Sequence, residues 1–152
     1  MEKMFNTVNF VASETMIVGI GIDLTEIDRI ERAVRRSAFC RRVYTEREIA
    51  DCLRGGEIHY SSLAARFAAK EAVFKALGCG FGLGWKSVEV VSGQGGQPQI
   101  KLCGRAAQRA AEMGVKEIKV SLTHSRTCAG AVALAIGGKC IEAGDGGRDA
   151  DY

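Results

Sequence analysis

The segment RFAAKEAVFKALG, residues 66–78, places charged side chains next to an apolar stripe of a predicted helix. The stripe consists of Leu63, Phe67, Phe74 and Leu77. Lys70 falls inside this stripe, Glu71 lies on its edge, and Lys75 follows one helical turn after Glu71. A surface ion pair between Glu71 and Lys75, worth only ~0.2–0.5 kcal/mol, leaves Lys70 unexplained, because a buried lysine is costly unless it is paired. One acid among lysines suits a magnesium ion beside phosphate groups, since carboxylates bind the hard cation and lysines neutralise the remaining anionic oxygens.

Two further candidates lie where predicted strands end. Asp23 is near the end of MIVGIGIDL, which alternates as a strand does, and it shares one face with Gly19 and Gly21. The two glycines leave that face bare, so another group can approach the backbone closely. A strand-end carboxylate that caps the next helix explains Asp23 equally well. His124 lies in VSLTHS at the end of a second strand, which favours a functional role, whereas His59 is interpreted as a surface residue.

The elements that position these residues mix helices and strands without strict alternation. This mixture favours an α+β fold with a small antiparallel sheet packed against helices over a parallel, doubly wound fold. Thr25 is expected to cap the first helix, and residues 45–48 form a capping box before a short helix that Gly55 and Gly56 close. The predicted strands are 16–24, 87–91, 99–102, 118–122 and 129–136, and the predicted longer helices are 58–77 and 104–113.

The length and composition indicate one domain with a single core. The chain has 152 residues, of which 47% are apolar and 26% are charged. We expect an extension over residues 1–15, a folded domain over 16–137, and a disordered, glycine-rich acidic tail over 138–152. No apolar run is long enough for a membrane span or a signal peptide, which favours a cytoplasmic protein. The six cysteines match no zinc pattern and are interpreted as reduced, mostly buried residues.

The net charge of +3 is distributed unevenly. Arginines cluster between positions 29 and 47, namely Arg29, Arg32, Arg35, Arg36, Arg41, Arg42 and Arg47. Such a patch suits an acidic partner, which could be nucleic acid, an anionic membrane or an acidic protein, or it is simply a solvated helix face. Few aromatic residues accompany the arginines and no groove-reading motif is present, which argues against a nucleic-acid-binding module.

The order of these motifs resembles the holo-acyl-carrier-protein synthases, the small 4′-phosphopantetheinyl transferases. The resemblance covers about residues 16–136, and its most specific parts are GIGIDLTEIDRI (19–30) and LAARFAAKEAVFKALG (63–78). The YTERE (44–48), GQPQI (96–100) and VSLTHS (120–125) segments also match. In this family Met16 would be the usual first residue, and the fold would be the phosphopantetheinyl transferase fold.

The resemblance implies a reaction and a site. The family moves 4′-phosphopantetheine from coenzyme A to a serine of apo acyl carrier protein with Mg²⁺, releases adenosine 3′,5′-bisphosphate and supports fatty acid biosynthesis. It makes Asp23 and Glu71 the metal ligands and Glu71 the candidate base, directly or through a metal-bound water. The phosphates of coenzyme A are assigned to the matching cationic positions, Arg66, Lys70, Lys75 and His124, of which Lys75 is also grouped with the catalytic residues.

The resemblance also implies partners. Arg29 matches the helix that docks acyl carrier protein, so the arginine cluster is assigned to that acidic partner and neither nucleic acid nor a membrane is expected. A homotrimer with active sites between neighbouring subunits is typical of the family. Cys79 replaces a threonine common at that position, which puts any contact from its side chain to the nucleotide in doubt. Another magnesium-dependent phosphotransferase is the alternative enzyme, although the chain has no GxxxxGK[ST] loop.

Overall fold

A computed structural model describes residues 15–138 and shows an α+β fold, as the sequence predicts. Three short 3₁₀ turns, 81–83, 85–87 and 94–96, complete the connections. The strands are β1 (Thr15–Glu26), β2 (Leu53–Arg54), β3 (Glu57–Ile58), β4 (Val88–Ser92), β5 (Pro98–Leu102), β6 (Val115–His124) and β7 (Cys128–Gly138). The helices are α1 (Ile27–Val34), α2 (Ser37–Val43), α3 (Glu46–Asp51), α4 (Tyr60–Ala76) and α5 (Gly104–Glu112).

The main sheet is antiparallel and has the strand order β1-β7-β6. Strands β1 and β7 pair along their length, and the register places Asp23 opposite Ala131 and Thr25 opposite Ala129. Strand β6 pairs with the other edge of β7, where His124 also lies opposite Ala129. Residues in register share a sheet face, so the ends of β1 and β6 present Thr25 and His124 on the same side.

Helix α4 lies against this sheet and forms the centre of the molecule. Twelve of its 17 residues are buried, which is typical of a helix that packs on every side rather than along one stripe. Two apolar clusters meet on it: one joins its C-terminal half to β4, α5 and β7, and the other joins its N-terminal half to α1, α2 and α3. The position of α4 therefore determines where its charged side chains meet the sheet.

The glycines of β1 let α4 approach the strand. A Cβ atom added at Gly21 would overlap the backbone carbonyl oxygen of Ala72, and one added at Gly19 would overlap that of Ala76. The prediction that a group approaches this bare face is thus confirmed, and the group is the helix backbone. This close contact brings the end of β1 next to Glu71 and Lys75.

Local signals define the ends of two helices, and one of them is the predicted capping box of residues 45–48. Thr45 accepts a hydrogen bond from the Glu48 backbone, and Glu48 accepts one from the Thr45 backbone, which completes the capping box of α3. Gly78 has φ 63° just after α4, and backbone bonds from Gly78 and Cys79 return to the carbonyls of the last turn.

Several local predictions are wrong. Thr25 does not cap α1, whose N-cap is Glu26, and Gly55 and Gly56 turn the β2–β3 hairpin rather than close α3. The sequence analysis missed α2, a seven-residue helix with one buried side chain, Val43, and therefore with little apolar periodicity. An irregularity between 17 and 19 also changes the side-chain phase of β1.

The remaining predictions concern cysteines and boundaries. Five cysteines are free, but among the described residues only Cys52 is buried, so the prediction of mostly buried cysteines is wrong.

The predicted extension and tail, 1–15 and 138–152, lie almost entirely outside the described residues, as does Cys140. Thr15 and Gly138, the two described members of those segments, belong to β1 and β7. None of the helices within residues 15–138 is both long and apolar enough to cross a membrane.

Candidate active site

The end of β1 and the C-terminal half of α4 bring Asp23 and Lys75 into direct contact. The Lys75 ammonium donates to Asp23 Oδ1 at 2.9 Å and to the Ile22 carbonyl oxygen at 2.8 Å. Thr25 donates to the other carboxylate oxygen, Oδ2, at 2.9 Å. Asp23 is therefore held by one cation and one hydroxyl, and the partner of Lys75 is an acid 52 residues away in sequence rather than the neighbouring Glu71.

Glu71 lies close enough to Asp23 for their charges to interact. Its pKa is raised above the usual value for a carboxyl, first by burial and then by the negative charge of Asp23, while Lys75 and Arg29 oppose the shift. The carboxylates of Asp23 on β1 and Glu71 on α4 repel each other, and together they form a donor set that fits a hard divalent cation. Within residues 15–138, no group of three or more His, Cys, Asp or Glu side chains is placed to hold a metal ion.

Lys70 does not join this group, and its burial argues against the predicted phosphate contact. Its side chain is fully buried, and its ammonium forms an ion pair with Glu48 at 2.8 Å. It also donates to the carbonyl oxygens of Val43 at 2.8 Å and Trp85 at 3.1 Å. All three ammonium donors are thus engaged away from solvent, which leaves none for a phosphate. Burial lowers the pKa of Lys70, and Glu48 acts against that shift.

A large cavity of about 1110 Å³ lies between the N-terminal half of α4, the β4–β5 hairpin and β6. Arg66 and His124 line it, whereas Asp23, Glu71 and Lys75 do not. Arg66 donates weakly to Ser62 at 3.4 Å and lies 3.7 Å from Asp51, and its buried Nε has no hydrogen-bond partner. A guanidinium group that lines a cavity suits an anionic ligand.

Arg29 lies on the exposed side of α1, whose buried residues Ile30 and Val34 pack against the core. Its charge reaches Glu71, because it is one of the cations that oppose the raised pKa of that carboxyl. Arg29, the first member of the arginine cluster, is therefore close to Glu71. Within the cluster, Arg35 forms an ion pair with Glu31 at 2.7 Å.

The outer face of the sheet carries exposed apolar side chains. Ile20, Ile22 and Leu24 of β1 are 66%, 71% and 72% exposed. Across the register, Ile20 lies beside Leu134 and Ile22 beside Val132, both of which are only half-buried. We refer to these five residues as the outer sheet patch. A contiguous exposed apolar surface of this kind is typical of an interaction site.

The sequence analysis missed several residues that shape the site. Thr25 was interpreted as a helix cap, although its two-residue spacing from Asp23 puts both side chains on one face of a strand and could have indicated their contact. The sequence predicted only the helix-capping role of the Glu48 carboxylate. Its other role, pairing with Lys70 and accepting from the Val90 backbone, depends on tertiary contacts that no local pattern reveals.

Comparison with known proteins gives a consistent result. Residues 19–135 match the family model described as "ACPS: 4′-phosphopantetheinyl transferase superfamily". A holo-[acyl-carrier-protein] synthase of Moorella thermoacetica is 51% identical over 119 residues, which cover 75% of this chain and 90% of that protein.

Solved structures agree. The holo-[acyl-carrier-protein] synthase of Helicobacter pylori in complex with coenzyme A has a TM-score of 0.66 and 30% identity, covering 76% of this chain and 98% of that one. The acyl carrier protein synthase of Plasmodium yoelii with ADP bound has a TM-score of 0.73 and 30% identity, covering 82% and 98%. The range matched by the family model, residues 19–135, includes Asp23, Glu71 and Lys75.

Proposed function

Because the chain belongs to the 4′-phosphopantetheinyl transferase superfamily, we propose that it transfers 4′-phosphopantetheine from coenzyme A to a serine of apo acyl carrier protein. The other product is adenosine 3′,5′-bisphosphate. The observation that carries the proposal is the contact between β1 and α4, which places Asp23, Glu71 and Lys75 together. The Helicobacter pylori relative, which holds coenzyme A, supports the choice of donor.

Asp23 and Glu71 are the residues proposed to hold Mg²⁺. When bound, Mg²⁺ would neutralise the pyrophosphate of coenzyme A and so favour departure of the bisphosphate. Glu71 is the candidate base, because the resemblance assigns it that role and it lies beside Asp23 in this group. It takes the proton of the serine hydroxyl directly or through a water molecule.

Phosphate binding is assigned to Lys75, Arg66 and His124. Lys75 is half exposed beside the carboxylates, and the other two line the large cavity. Their separation into two places fits a long substrate, since coenzyme A carries phosphates at more than one position. Most of the rate enhancement would then come from alignment and electrostatic stabilisation.

Arg29 is assigned to carrier-protein docking. Arg29 is exposed and lies close to the carboxylate of Glu71. The family resemblance implies that its partner, acyl carrier protein, is acidic. A rim arginine of this kind mainly increases the association rate.

A homotrimer is the proposed assembly. The outer sheet patch supports it, because a closed ring of subunits would cover apolar side chains that one chain leaves exposed. Replacing Ile22 by lysine is expected to lower the mass measured by light scattering from that of a trimer to that of a monomer. A wild-type protein that is a fully active monomer would contradict this assignment. A cytoplasmic location and a role in fatty acid biosynthesis follow from the same proposal.

The direct test is transfer to a carrier protein, measured by intact mass. Wild-type protein incubated with apo acyl carrier protein, coenzyme A and Mg²⁺ should add the mass of phosphopantetheine to the carrier. Asp23→Ala and Glu71→Ala should each reduce the rate by roughly 100-fold or more, since a metal contributes several kcal/mol to such transition states. Unmodified carrier with the wild-type protein would refute the proposed function, and a normal rate in either variant would remove that residue from the metal site.

A further inference from the structure

Lys75 and the proposed metal site share one carboxylate, that of Asp23. Asp23 Oδ1 accepts from the Lys75 ammonium at 2.9 Å, and Asp23 Oδ2 accepts from Thr25 at 2.9 Å. Both oxygens of a carboxylate that is only 15% exposed are thus engaged by donors of this chain. A divalent cation bound to this carboxylate and the ammonium beside it repel each other, which weakens the ion pair between Lys75 and Asp23.

We propose that Lys75 is an exchangeable cation on Asp23, which a divalent metal displaces and which then binds a phosphate of coenzyme A. This inference rests on the proposed function and adds an order of binding. Metal binding at Asp23 comes first and releases Lys75 for the substrate. The two roles of Lys75, ion pair and phosphate ligand, belong to two positions of one side chain. Metal and coenzyme A therefore bind cooperatively, because each favours the same position of Lys75.

The surroundings of Lys75 allow such an exchange. Its side chain is 52% exposed, so the ammonium can move without opening the core. Its two acceptors, the Ile22 carbonyl oxygen and Asp23 Oδ1, leave the third donor of the ammonium available. No ion pair joins Lys75 to Glu71 in the part of the chain that the structure describes, so Asp23 is the acid that holds it.

The first test measures Mn²⁺ binding to the free protein by calorimetry, without coenzyme A. Lys75→Met should bind Mn²⁺ about 5-fold or more tightly than the wild type, a factor at the lower end of typical coupling between sites. Arg29→Met is the matched control, because it also removes a positive charge that reaches Glu71, whereas the ion pair of Asp23 among the described residues is with Lys75. The proposal fails if Lys75→Met has wild-type affinity, or if Arg29→Met increases the affinity equally.

The second test measures coenzyme A binding in a buffer with a metal chelator. Asp23→Asn should strengthen it several-fold, because Lys75 no longer has to leave an anionic partner. Glu71→Gln is the matched control, since it removes one negative charge from the same group without breaking the Lys75 ion pair. Equal effects of the two variants would show that only the net charge matters and would overturn the exchange.

Measurements on the wild-type protein distinguish failure of the lysine exchange from failure of the proposed function. If it binds both Mn²⁺ and coenzyme A and modifies the carrier, but Lys75→Met leaves Mn²⁺ affinity unchanged, only the exchange is refuted. If the wild type binds neither ligand, the proposed function itself is refuted, and the exchange with it. Thermal unfolding of each variant checks that the substitutions leave the fold intact.

Discussion

Lys70 and Lys75 lie little more than one turn apart on α4, but their surroundings are opposite. Lys70 is fully buried, and its ammonium is held by Glu48 and two backbone carbonyls. Lys75 is half exposed, and its ammonium is held by Asp23 and one carbonyl. Lys70 therefore belongs to a fixed, buried network, whereas Lys75 belongs to an accessible group of charged side chains.

The difference follows from what surrounds each partner acid. Glu48 also accepts hydrogen bonds from the backbones of Thr45 and Val90, so the ion pair connects α3, α4 and β4 inside the core. Asp23 lies at the edge strand β1, and its other neighbours are Thr25 and Glu71. A saturated, buried network resists change, whereas a partly solvated one allows its members to exchange partners.

The largest expected effect comes from breaking the buried pair. Lys70→Met leaves the charge of Glu48 buried without a partner, which should lower the free energy of unfolding by about 3–5 kcal/mol. Urea unfolding monitored by circular dichroism measures the loss. Lys75→Met is the matched control on the same helix and should change stability by no more than about 1 kcal/mol, because its ion pair is half exposed.

The double variant Lys70→Met, Glu48→Gln sharpens this result. It removes the unpaired charge while glutamine can still accept from the Val90 backbone, so part of the lost stability should return. If the double variant is as unstable as Lys70→Met alone, packing rather than the charge explains the loss.

The next effect concerns the close contact between β1 and α4, which brings Asp23 next to Glu71 and Lys75. Gly21→Ala would push α4 away from β1, which should cost about 1–3 kcal/mol and also weaken Mn²⁺ binding, because Asp23 moves away from Glu71. Gly82→Ala is the control, since a Cβ atom there meets no neighbouring atom. Unfolding curves and calorimetry test both expectations, and unchanged Mn²⁺ affinity in Gly21→Ala would mean that the contact does not position the metal ligands.

A smaller effect is expected at the rim of the accessible region. Arg29→Glu should raise the Michaelis constant for carrier protein several-fold and leave coenzyme A affinity nearly unchanged, and added salt should reduce the difference. Steady-state kinetics at two salt concentrations measures it. Arg105→Glu, an exposed charge reversal on α5, is the control. An equal loss of coenzyme A affinity in Arg29→Glu would contradict the docking assignment.

The smallest effect is a gain in stability. Glu71 has a raised pKa, mainly because of burial and then because of Asp23, so its ionised form is less favourable in the folded than in the unfolded protein. This penalty is fully present above the raised pKa and disappears below the ordinary carboxyl value. Glu71→Gln should therefore unfold at a slightly higher temperature than the wild type at neutral pH without metal. The gain should vanish as the pH falls through that window, and a gain that persists in acid would contradict it.

The sequence predicted elements and motifs better than it predicted partners. Strand β1, helix α4 and the capping box at Thr45 depend on neighbouring residues, so local periodicity and capping patterns were sufficient. The partners of Lys70 and Lys75 depend on how distant segments meet, and the nearest acid in sequence, Glu71, forms an ion pair with neither. Gly19 and Gly21 indicated a close approach, but their spacing could not show that α4 makes it.

The central claim is that Asp23 and Glu71 hold one divalent cation, and diffraction from Mn²⁺-soaked crystals tests it most directly. Anomalous difference maps should show one peak at coordination distance from an oxygen of each carboxylate, with the Lys75 ammonium moved away from Asp23. A peak elsewhere, or no peak beside these two residues at saturating Mn²⁺, would contradict the account.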